Sequence, residues 1–183
     1  MAPIIEAAAP GVPIVNPLWD AAQAALALAT ECLGDGCSEY PRTLVETSMP
    51  AVDCATLAVV IGSARARSGN CAGKIQLSTT LDIFLARCCD PVGSLDSQGG
   101  YTPPSAEEIE AAAACIVRDA WAIYNCIICD ACATLGAVKG VTACCDDFTG
   151  PPEIRFGAPS GACRSATVSI PIVVTACCEP VIP

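Results

Sequence analysis

Cysteine is the residue with the most chemistry to offer in this chain, which carries fifteen cysteines and no histidine. Cys126, Cys129 and Cys132 make a C-x2-C-x2-C run. Three thiolates at that spacing could serve an iron-sulfur cluster, or zinc with a remote fourth ligand. Two observations oppose this. The next cysteine is Cys144 and no Cys-Pro follows at ferredoxin spacing. On a continuous helix the three side chains would also spread around the axis instead of converging. The expectation is no bound metal and no cofactor, with the cysteines serving as small buried residues or disulfide partners.

Three doublets, Cys88-Cys89, Cys144-Cys145 and Cys177-Cys178, each end or border a segment. Adjacent side chains diverge, so an oxidised doublet could anchor two different elements. Such a pairing would tie Cys88 or Cys89 to the region around Cys144 and Cys145. Reduced cysteines packed as small hydrophobes are the alternative, and connectivity is open at this level. The odd total leaves at least one thiol unpaired within the chain.

Acid–base chemistry has little to work with. Without histidine there is no Ser-His-Asp or Cys-His pair and no H-E-x-x-H site. Neither G-x-G-x-x-G nor G-x-x-x-x-G-K-[ST] occurs. Glu107, Glu108 and Glu110 crowd the first turn of a helix, where exposed N–H groups favour carboxylates. The chain is not expected to be an enzyme.

The elements that would position any site are clearer. Residues 74–87, KIQLSTTLDIFLAR, put Ile75, Leu77, Leu81, Ile83 and Leu85 on one parity and Lys74, Gln76, Ser78, Thr80 and Asp82 on the other. That alternation predicts a strand with one dry and one wet face. Residues 54–62 are a shorter, more apolar strand, and residues 164–175 repeat the clean alternation through Ala166, Val168, Ile170, Ile172 and Val174. Pro171 inside the last strand marks an edge, a bulge or a place where the strand leaves its ladder. Short strands are expected over 42–46 and 153–156.

Two helices complete the pattern. One runs over 17–33, with Asn16 as cap, Pro17 at the first position and an alanine-rich stripe through Leu18, Ala22, Ala25, Leu26, Ala29 and Leu33. The other runs over 105–132 from a Ser105/Glu108 capping box, with Ile109, Ala112, Ala113, Ile116, Ala120, Ile123 and Ile127 facing the core. Gly136 and Gly140 are expected to break it. The fold class is α+β: a single domain, with a mainly antiparallel sheet packed against two principal helices. A proline-punctuated N-terminal arm spans 1–15, the domain 16–176 and a C-terminal tail 177–183.

Composition limits the partners. Nineteen acidic against nine basic residues give a net charge of −10, which argues against gripping nucleic acid by its phosphates. It does not exclude a protein that surrounds DNA while repelling it. A 53% hydrophobic content with 15% charged residues leaves apolar surface for a core or for subunit contacts. Candidate interface residues are Arg65 and Arg67 in the polar turn 63–73, Tyr101 in the loop 91–104, and Trp121 with Tyr124 on the long helix. The run 111–128 contains Arg118, Asp119 and Asn125 and is expected not to span a membrane. The N-terminus lacks a basic region ahead of its apolar residues, so synthesis in the cytoplasm is expected.

The helix, the strand AVDCATLAVVIG, the strand KIQLSTTLDIFLARC, YTPPSAEEIEAAAACIVRDAWAIYNCI and CCDDFTGPPEIRFGAPSGACRSATVSIPIVV follow one another in an order that resembles the tail terminator proteins of long-tailed actinobacteriophages. The similarity covers residues 18–174. Its most specific pieces are Arg87-Cys88, Pro103-Pro104-Ser105 with Glu107-Glu108, and the glycine-rich approach over 157–164. The resemblance implies a homohexameric ring at the tail/neck junction of the virion, made in the host cytoplasm. The tail-tube protein would lie below it and head-completion or neck proteins above, with genomic DNA passing through without sequence-specific binding. Loops 63–73 or 91–104 would contact tube or neck. A head-completion (stopper) neck protein is the neighbouring alternative, and a cysteine-rich metal-binding or redox protein an alternative of another class. In a virion exposed to an oxidising exterior, cysteines near strand ends and loops are expected to pair and those inside the long helix to stay reduced.

Overall fold

A computed structural model describes residues 16–34, 40–50, 55–66, 74–88, 94–95, 99–143, 150–158 and 163–177. Its axis is a pair of fifteen-residue antiparallel strands, β4 (Lys74–Cys88) and β9 (Cys163–Cys177), matched from Lys74 opposite Cys177 to Cys88 opposite Cys163. Around this pair stand β1 (Arg42–Glu46), β2 (Thr56–Ile61), β3 (Arg65–Ala66), β7 (Val141–Ala143) and β8 (Glu153–Phe156). The main path is β1-β2-β4-β9-β7, with β3 on β4 and β8 on β9; among the described strands only β1 and β2 are parallel. A separate two-stranded ribbon joins β5 (Ser94–Leu95) and β6 (Tyr101–Thr102). The architecture is the expected α+β domain with a mostly antiparallel sheet.

Side chains directly opposite one another share a face, so register alone lays out the core. One row runs Val45, Val59, Ile83, Val168, Ile154 across five strands. Val59, Ile83 and Val168 in that row are fully buried, as are Leu57, Leu81, Leu85, Ile170 and Ile172 on the same face. Burying each such side chain is worth roughly 1.5–3 kcal/mol.

Both helices lie on this face. Helix α1 (Pro17–Leu33) starts where the Asn16 side chain accepts a hydrogen bond from the Trp19 N–H, with Pro17 pre-set for the first turn. Ala21, Ala22, Ala25 and Ala29 are fully buried, so the small stripe lets the helix approach closely. Helix α2 (Ala106–Gly136) opens on the complete capping box: Ser105 Oγ accepts from the Glu108 N–H, and the Ser105 N–H donates to Glu108 Oε2 at 2.7 Å. It outruns its expected end by a turn, because Ala131 and Leu135 continue the buried stripe and their burial outweighs a weak helix former at Gly136. By length and mean hydropathy (1.4) residues Ala106–Ala131 of α2 meet the criteria of a membrane span, criteria that a helix packed in a core meets as well. Here its apolar stripe packs on the sheet.

The opposite face of the sheet is drier than its alternation suggests. Ala58, Phe84 and Ala86 form a second small cluster with Leu44, and Val60 and Val173 are buried too. Strand β2 is buried on both faces, in keeping with its unbroken apolar run. Pro171 faces Thr80 on β4, while on its other side β8 stops at Ser169 and β7 begins opposite Ile172. Its missing N–H thus falls where β9 changes partners. Gly140, at φ +82°, brings the chain from α2 onto β9, and a Cβ there would stand 2.9 Å from the Thr175 carbonyl oxygen. Only glycine fits that approach comfortably.

Candidate functional site

Helices α1 and α2 are joined covalently by a disulfide between Cys32 and Cys126. About two turns earlier on α2 lies a buried charged tie. Asp119, on α2, accepts from the Tyr40 hydroxyl at 2.8 Å and from Arg87 Nη1 at 2.7 Å through Oδ2, and from Arg118 through Oδ1. Its side chain is 4% exposed; that of Arg87 is 16% exposed and that of Arg118 is 69% exposed. Burial, and then the hydrogen bond to Asp119, push the Tyr40 phenol well above its ordinary pKa. With both oxygens engaged, this carboxylate is a structural tie between the entry to β1, the end of β4 and the middle of α2. It has no oxygen left to act as a base.

A second polar row crosses the other face. The Ser169 hydroxyl donates to Asp82 Oδ1 at 2.6 Å and accepts from Arg155 Nη2 at 2.7 Å, and Arg155 Nε pairs with Glu153 Oε1 at 3.1 Å. Ser169 is buried and lacks the imidazole that would make it a nucleophile.

Among the described residues, a row of exposed apolar side chains stands on α2. Val117, Trp121, Tyr124 and Ile128 follow at intervals of four, three and four residues and make a stripe that borders the core stripe, with Tyr124 at the join. Trp121 is 55% exposed, Val117 and Ile128 are exposed as well, and Tyr124 is half-buried against the core. The Trp121 and Tyr124 rings stack with centroids 5.7 Å apart. On the far side of the helix pair, Gln23, Leu26, Ala27, Thr30 and Glu31 of α1 and Thr43 of β1 line an open groove of about 480 Å³.

Among the interface residues expected from sequence, Trp121 and Tyr124 therefore come together. Arg65 is exposed on β3 and Tyr101 on β6, on different elements from the aromatic pair, and Arg67 lies outside the described residues. Cys88 is disulfide-bonded, whereas Cys89, Cys144 and Cys145 lie outside the described residues. The thiol pattern inside α2 corrects the expectation: Cys115 and Cys126 are both disulfide-bonded, and Cys129 is free and exposed. Helical position does not protect a thiol when a neighbouring element brings a second sulfur within reach. Cys126, oxidised, cannot serve as a thiolate ligand beside Cys129, and no group of three metal-binding side chains gathers among the described residues.

Sequence reasoning missed the Asp119 tie. The signal was present: an acid on the apolar stripe, between Ile116 and Ile123, needs a buried partner. No family model matches the chain, and no curated protein matches it in sequence.

Proposed function

We propose that this protein is a structural virion component. In this reading its copies form a ring that terminates a phage tail tube and joins it to the neck, leaving a channel for DNA. The resemblance in element order supplies the role. The observation that carries a subunit-contact reading is the row of exposed Val117, Trp121 and Ile128 with half-buried Tyr124 between them, an apolar flank that extends beyond the part of the helix already in the core. Exposed large apolar side chains in a row mark interaction surfaces. A net charge of −10 suits a channel wall past which phosphates must slide. The disulfides at Cys32, Cys88, Cys115, Cys126 and Cys163 suit a particle that outlives its host's reducing cytoplasm.

Deletion of the gene, followed by imaging of the lysate, tests the role. A terminator leaves tails of uncontrolled length that do not join filled heads. A head-completion protein leaves free tails of normal length beside heads that leak DNA. Normal infectious particles would remove both readings.

A further inference from the structure

The aromatic stripe and the groove sit on opposite flanks of one layer, and this follows from helix geometry. At about 100° per residue, Val117, Trp121, Tyr124 and Ile128 lie roughly 140–180° around α2 from Cys126, the residue bonded to α1. On α1, Gln23, Leu26, Ala27, Thr30 and Glu31 lie on the side away from Cys32 by the same count, at roughly 100–180°. The sheet agrees with this. Helix α1 rests mainly on β1, β2 and β4, with lesser contact to β9 and β7, and α2 mainly on β9 and β7, then β4 and β8; with Thr43 of β1 in its lining, the groove is toward the β1 end and the stripe toward the β7/β8 end.

The two surfaces also match in chemistry. The groove has an apolar floor at Leu26 and Ala27 and an exposed carboxylate, Glu31, at its rim. The stripe offers a protruding indole at Trp121 and, three residues earlier, the guanidinium of Arg118, which holds Asp119 Oδ1 through Nε and Nη2 while its side chain stays 69% exposed. A bulge with a cation on one flank and a hollow with an anion on the other cannot meet within one domain.

We infer that the occupant of the groove is a second copy of this chain. Trp121 of one copy seats between α1 and β1 of the next, with Arg118 reaching Glu31. Such a contact is head-to-tail, and it closes into a ring when the rotation between copies divides a full turn. The inference rests on the ring reading above and names the surfaces that would make the ring.

The test uses complementation between variants in sedimentation velocity. Trp121→Ala removes the bulge and Ala27→Trp fills the hollow; both positions are exposed, so unfolding midpoints should match the wild type. The wild type should self-associate. Each variant alone should associate roughly 30-fold more weakly, the effect of losing one buried tryptophan anchor. Mixed, the two should form a one-to-one dimer that grows no further, because the Trp121→Ala copy keeps its groove and the Ala27→Trp copy keeps its bulge. Glu31→Lys should weaken wild-type association as well. Wild-type association that neither Trp121→Ala nor Ala27→Trp weakens would overturn this contact and leave the ring reading standing. A wild-type chain that stays monomeric also overturns it, and the deletion phenotype then decides the ring reading independently.

Discussion

Arg87 Nη1 lies 2.7 Å from Asp119 Oδ2, joining the end of β4 to the middle of α2 across 32 residues of sequence. The pair is largely out of water, so what matters is the charge left behind when one partner goes.

Asp119→Ala should therefore destabilise the domain by about 3–5 kcal/mol, because the largely buried Arg87 and the buried Tyr40 hydroxyl both lose their bond to this carboxylate. Arg118→Ala removes a solvent-exposed partner of the same carboxylate and should change stability by less than about 1 kcal/mol. Urea unfolding of the two variants checks the contrast. Equal losses would show that burial does not govern the tie.

The Cys32–Cys126 disulfide closes a separation of 94 residues. In the chain-entropy account a loop of that size contributes about 4–5 kcal/mol by constraining the unfolded chain. A Cys32→Ser/Cys126→Ser double variant should lose most of that in denaturant unfolding without reductant. Its loss should appear mainly as earlier release of α1, read by hydrogen exchange at Ala21–Ala29 amides relative to those of β4.

Tyr40 gives a pH dependence with a definite sign. Its pKa is raised in the folded state, first by burial and then by Asp119. Below about pH 10 both states keep the proton and this group contributes its full stability. Above about pH 10 the unfolded chain ionises while the native phenol does not, and stability falls by up to about 1.4 kcal/mol per pH unit. Unfolding free energies from neutral pH into this range, wild type minus Tyr40→Phe, should isolate the effect. A difference that does not change with pH would contradict it.

Ala25 is fully buried in the stripe that lets α1 approach its neighbours. Ala25→Leu should cost about 1–3 kcal/mol through overpacking, although leucine and alanine are both good helix formers. Thermal unfolding measures it, and a stabilised variant would mean that α1 has slack beneath it.

Much of the architecture was legible because local patterns carry it. Alternation over 74–87 marked β4 within one residue of its observed end, Asn16-Pro17 marked the start of α1, and Ser105 with Glu108 marked that of α2. The short strands Arg42–Glu46 and Glu153–Phe156 were legible from their bounding prolines and glycines. Strands β3, β5, β6 and β7 were not, since two or three residues carry too little pattern and are held only by the strand beside them.

Sequence by itself thus determined most of the residues that turn inward, because a side chain's preference for water and the periods of helix and strand are local properties; it missed that Ile109 and Ala113, expected on the core stripe of α2, are exposed and that Phe84 and Val173 on the expected wet face are buried. It also excluded histidine-dependent chemistry, since no histidine is present. Tertiary structure decided which thiols meet, how Tyr40 reaches Asp119 across 79 residues, and that the aromatic stripe and the α1–β1 groove end on opposite flanks. Each of these depends on strand order and on how the two helices are rotated about their axes. Those are set by the packing of the whole core at once, and no single segment encodes them.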